Sequence, residues 1–187
     1  GVEEETRETS MEMTIIEKLR DAYQLGTAKP VIPENVQKKL QEAALRGVPF
    51  VDMNGIPDNL IRSLKSCGFQ VSPWSESGEF GSIIRGWERP PKNSTGLLRQ
   101  CVTLYETAWD VAREASDSHF EETIRDCEQA AKKGCKSYSV KLETHQDNWG
   151  KHHLLPSSQL LVEKLEKTEG LKVEKRAGSV LISGWAD

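Results

Sequence analysis

No apolar run in this chain approaches the ~20 residues that a helix needs to cross a bilayer, and no basic stretch followed by an apolar one marks a secretory leader. Only four of the 187 residues are cysteine, Cys67, Cys101, Cys127 and Cys135, and none is spaced as CxxC. Paired disulfides and a zinc ribbon are therefore not expected. The thiols read as reduced, which fits an intracellular compartment or a virion. A basic surplus is also missing, because the formal net charge is −4. A protein that grips nucleic acid neutralises phosphates with a cationic surface, so nucleic acid is not the expected partner. The sequence lacks a Gly-x-Ser-x-Gly elbow, a phosphate-binding Gly-x-x-x-x-Gly-Lys loop and a dinucleotide fingerprint. Its carboxylates are scattered over charged segments rather than paired for acid–base work. No catalytic residue, cofactor or small-molecule substrate is indicated.

What is present is a polar but foldable composition, 36% hydrophobic and 29% charged. The first twelve residues are rich in glutamate (Glu3, Glu4, Glu5, Glu8) and read as a solvated acidic arm. Beyond it, two stretches share one pattern, Pro33 to Trp87 and Glu121 to Trp185. Each opens with an amphipathic helix, carried by Val36, Leu40, Ala43 and Ala44 in one and by Ile124, Cys127, Ala130 and Ala131 in the other. Each helix ends at a glycine, Gly47 or Gly134, the residue that accepts a left-handed C-cap.

A strand is expected after each glycine, Val48 to Met53 and Ser137 to Leu142. A second helix then opens at Pro57-Asp58 or Pro156-Ser157 and stops at Gly68 or Gly170. Two alternating segments close each unit on a shared Gly-Trp, Gly86-Trp87 and Gly184-Trp185. The joining turn reads as longer in the first unit (Ser75 to Gly78) and tight at Ala177-Gly178 in the second. The expected fold class is α+β, a tandem duplication of an α-β-α-β-β unit, each a small three-stranded sheet packed on helices. The expected divisions are an acidic arm (1–12), a first unit with a lead-in helix from Met13 (13–89), a linker with a connecting helix over Leu97 to Ala115 (90–119), and a second unit (120–187).

The second unit carries an insertion, Glu143 to Leu155, holding Trp149 and the histidines His145, His152 and His153. An insertion in one repeat is a surface loop by default, and such loops carry specific contacts. Trp149, His152 and His153, with Trp74 from the first hairpin, are the candidate partner-binding residues, and the partner class is other proteins of a larger assembly. These histidines and Asp147 are metal-ligand types, but a loop does not supply the convergence and support that a site needs, so no metal is expected. Trp87 and Trp185 are expected to seal equivalent cores.

The segments Ala130-Ala131-Lys132-Lys133-Gly134, Ser137-Tyr138-Ser139-Val140 and Leu181-Ile182-Ser183-Gly184-Trp185 together resemble small α/β units common in proteins of large DNA viruses and tailed phages. The resemblance implies a virus-encoded virion or assembly component and transfers no catalytic residue. The expected function is a non-catalytic interaction or assembly protein, in its most concrete form a minor structural component of a virus or phage. The competing expectation is a winged-helix-like nucleic-acid-binding or regulatory module, whose reading helix would offer Arg62 and Lys65.

Overall fold

The computed structural model describes residues 14–27 and 31–186. The acidic arm expected over 1–12 lies outside the described residues. The chain divides into two compact bodies, one ending at Val31 and the other beginning at Ile32. In the first stands α1 (Ile15–Thr27). It opens on a reciprocal capping box, in which Glu17 N–H donates to Thr14 Oγ1 and Thr14 N–H to Glu17 Oε2, both at 3.2 Å.

From Ile32 onward the order is α2 (Glu34–Leu45), β1 (Val51–Asn54), α3 (Asp58–Ser66), β2 (Gln70–Glu76), β3 (Glu79–Arg85) and α4 (Gly96–Lys132). Then come β4 (Ser137–Lys141), β5 (Thr144–Gln146), β6 (His152–Leu154), α5 (Pro156–Lys167), β7 (Lys172–Arg176) and β8 (Ser179–Ser183). The molecule is thus mixed α+β with small antiparallel sheets. Two three-stranded sheets have matching order, β1-β3-β2 and β4-β8-β7, and β5 pairs with β6 separately.

The glycine stops form as the sequence indicates. After α2, Gly47 N–H donates to Ala44 C=O and Val48 N–H to Ala43 C=O; after α4, Gly134 and Cys135 donate likewise to Ala131 and Ala130. This double bond pattern requires a left-handed residue, and Gly47 and Gly134 supply it at φ 76° and 82°. The closing tryptophans also match. Trp87 Nε1–H donates to Val48 C=O at 2.8 Å and Trp185 Nε1–H to Cys135 C=O at 2.9 Å. In each case the acceptor is the residue just after the helix-ending glycine. Trp87 is fully buried, while Trp185 packs at the edge of its core and stays partly accessible.

Three features differ from the sequence reading. The first hairpin has a two-residue turn, Ser77-Gly78, because Glu76 pairs with Glu79 across it. Both turn residues have positive φ, 52° and 80°, the geometry that suits the twist of a tight hairpin. The strand after Gly47 begins at Val51 rather than Val48. The connecting helix and the second unit's opening helix are one element, the 37-residue α4. Residues 97–132 contain neither glycine nor proline, so the polar run Ser116-Asp117-Ser118 has no power to break the helix.

The long helix serves two cores. Leu98, Cys101 and Val102 pack with Leu40, Leu64, Ile84 and Trp87 in the first. Cys127, with Phe120 and Ile124 beside it, packs with Leu161, Leu165, Val180 and Ile182 in the second. Burial in the first core pushes the Cys101 thiol up to about 12, so it behaves as a small apolar residue. Between the cores, Trp109 meets Gly47 from α2's end, and Gly47 in turn lies under the ring of Pro156 at the start of α5.

Candidate functional site

The insertion in the second unit is not a free loop. Residues 144–154 form the β5–β6 hairpin, with His145 opposite His153 and Gln146 opposite His152. Its turn is organised by Asp147. Oδ1 accepts the N–H groups of Trp149 and Lys151, both at 2.9 Å, and Oδ2 receives His153 Nε2 at 2.8 Å. That bond to His153, with the two backbone donors, holds the Asp147 carboxyl below the usual carboxylate range.

The hairpin lies on the outer face of the first unit's sheet. Side chains alternate along a strand. Val51, Val71 and Ile84 therefore face the core, while Phe50, Asp52, Asn54, Trp74 and Ile83 face the other way. Phe50 is only 6% exposed, although it belongs to neither core. What covers it is the hairpin: His145 and His153 meet the Phe50 ring edge to face, with centroids 5.7 and 4.9 Å away. Arg85 stands 5.4 Å from the centre of the same ring.

Trp149 completes the contact. Its ring meets Trp74 edge to face at 5.1 Å, and its Nε1–H donates to Glu76 Oε2 at 2.8 Å. Trp74 is itself fixed, because its Nε1–H donates to Asp52 Oδ1 at 2.7 Å. Its indole lies over Gly81, its cross-strand partner, where an added Cβ would come within 2.6 Å of the ring. Asn148 donates to Asn54 Oδ1 at 3.2 Å.

Beside the hairpin is a cleft of about 210 Å³, walled by Lys39, Glu42 and Arg46 of the α2 region, by Phe50 and Asp52, and by His145. Arg46 Nη1 approaches His145 Nδ1 at 3.4 Å. A guanidinium only donates, so Nδ1 must be unprotonated and accept. Burial first, then Arg46 and His153, hold the His145 pKa below its ordinary value. Asp52 Oδ2 is buried beside this cleft with no hydrogen-bond partner.

The sequence-picked residues thus converge in part. Trp149, His153 and Trp74 meet on one seam, with Trp149 still 48% exposed. His152 turns aside to Thr144 Oγ1, 2.9 Å from its Nδ1. The receiving residues Phe50, Asp52, Asn54 and Glu76 were not singled out from sequence. A signal for them exists: at matching register the second sheet has Ser137, Ser139 and Lys141 where the first has Phe50, Asp52 and Asn54.

Among the described residues no three His, Cys, Asp or Glu side chains converge to hold a metal ion. No helix there is long and apolar enough to cross a membrane. A single helix, α3, separates β1 from β2, and Lys164, a basic residue of the matching helix α5, is tied to Asp117 of α4. No protein-family model, no curated protein and no solved structure matches this chain.

Proposed function

We propose that the protein is a non-catalytic interaction component of a larger assembly, built by tandem duplication of one α-β-α-β-β unit. The duplication is supported by the matching sheet orders and by the two indoles bonded to equivalent carbonyls. The observation that carries the functional reading is the seam itself. His145 and His153 are engaged in joining the units, yet Trp149 keeps 48% of its surface exposed on a rim built from both. Tryptophan is enriched among the residues that anchor protein contacts, and a half-exposed one on a preorganised rim suits that role. The more concrete form, a minor component of a viral particle, rests on the resemblance of its glycine-capped helices and Gly-Trp ends. On this reading the partners are proteins, and the hairpin is the second unit's addition that fixes how the rim is presented.

The test is the native mass of the full-length protein taken from its source, beside that of the Trp149→Ala variant. The expected result is a stoichiometric complex well above 21.0 kDa, weakened about tenfold or more in the variant. A free monomer from both preparations overturns the reading. Steeply salt-dependent binding to duplex DNA by that monomer would put the nucleic-acid reading in its place.

A further inference from the structure

A second candidate site lies away from the seam, on the outer side of α4. The helical repeat sets Tyr105, Trp109 and Arg113 four residues apart on one stripe, with Glu106 and Asp110 one residue further round. Glu88, directly after the buried Trp87, comes up against this stripe from the end of the first unit. Together these six residues wall a cavity of about 460 Å³.

The chemistry of the walls is specific. Tyr105 and Trp109 are tilted at 56° with ring centres 6.2 Å apart, so they form two sides of an aromatic corner. Three carboxylates, Glu88, Glu106 and Asp110, stand around it against a single cation, Arg113. Asp110 is paired with Arg113 at 2.8 Å, which leaves Glu88 and Glu106 as the surplus charge. Burial, and then the Glu88 carboxylate, push the Tyr105 phenol up, so its hydroxyl stays protonated beside that charge. The Arg113 guanidinium already sits 5.9 Å from the centre of the Trp109 ring. The corner therefore holds a cation of its own, on a side chain that remains 60% exposed.

We infer that this aromatic and acidic cavity is a docking site for a cationic side chain, lysine or its methylated forms, presented by a protein partner. The rings supply their negative faces and Glu88 and Glu106 the countercharge, while Arg113 acts as a built-in competitor that an incoming cation displaces. The inference deepens the interaction reading and rests on it for the source of the cation. It does not involve the seam, so a titration here fails separately from the native-mass measurement.

The experiment is a titration of the full-length protein with three short peptides that carry lysine, trimethyllysine or norleucine at one position. The Trp109 indole resonance is the readout. Saturable shifts are expected with the two cationic peptides and none with norleucine. Glu88→Gln with Glu106→Gln, two exposed positions, should weaken binding about fivefold to tenfold. Arg113→Ala should tighten it about threefold, by removing the competitor. An equal shift with norleucine, no shift with any peptide, an unchanged double variant, or weaker binding to Arg113→Ala would each overturn the proposal.

Discussion

Three of the eleven left-handed glycines among the described residues and one ordinary one show how little of a residue's role is visible from its type. Gly47 and Gly55 both have positive φ, 76° and 61°. An added Cβ at Gly55 meets open space, while at Gly47 it would fall 2.3 Å from the Pro156 ring. Both alanine variants are strained by backbone conformation, at about 1 kcal/mol. Gly47→Ala should cost a further 1–3 kcal/mol, roughly, for overpacking the junction of the two units. Urea midpoints of the two variants check this, and equal losses would deny that Gly47 is a packing position. Gly81→Ala drives the Trp74 indole off its seat and should cost a similar roughly 1–3 kcal/mol, although Gly81 has no positive φ. The matched tryptophans differ by burial. Trp87→Phe leaves the Val48 carbonyl orphaned in a dry core, about 1–3 kcal/mol, while Cys135 C=O in Trp185→Phe can turn to water and should cost less. Gly134 and Gly47 were legible because a C-cap is a local demand that one residue type meets.

At the scale of elements, legibility ended where the contact partner was remote. The hairpin was visible only as an insertion, since the bond from Trp149 to Glu76 spans 73 residues and has no local signature. The continuity of α4 was hidden differently: a polar run resembles a boundary, and only the missing glycine and proline argue against one. The hairpin's hold on the first sheet should depend on pH. His145 is held below its ordinary value of 6.5, so the released hairpin takes up a proton more readily than the seated one. Docking is therefore fully stabilised above about pH 6.5 and weakens as the pH falls below it. Protonation would set a second charge against Arg46, with Lys39 across the cleft and His153 beside it; Asp52, Glu42 and Asp147 oppose this only in part. Asp147, with its depressed carboxyl, adds a further loss at more acidic pH, below the ordinary 3.8. The Trp149 indole resonance followed from pH 8 to about 2 should report release, roughly centred below 6.5 for His145 and below 3.8 for Asp147. In His145→Gln, which keeps an acceptor for Arg46, the step near His145 should vanish and the Asp147 step remain.

For the whole molecule, the shared helix and the seam tie two modest cores into one cooperative body. Heat or urea should unfold residues from Ile32 onward in one transition, coincident by far-ultraviolet circular dichroism and by tryptophan fluorescence. Separate transitions for the two cores would deny that α4 couples them. A proline at Ser118, in the middle of α4, should cost about 3 kcal/mol or more and is the variant best suited to uncouple them. The same helix has a consequence for inheritance. Two modules joined by a flexible linker can be shuffled, each exchanged for a relative or lost by a single crossover. Here any crossover from Gly96 to Lys132 falls in a helix of about 55 Å whose ends are committed to different interiors. A recombinant would have to inherit the register of that helix along with both interiors, so the pair is expected to pass through evolution as one indivisible piece.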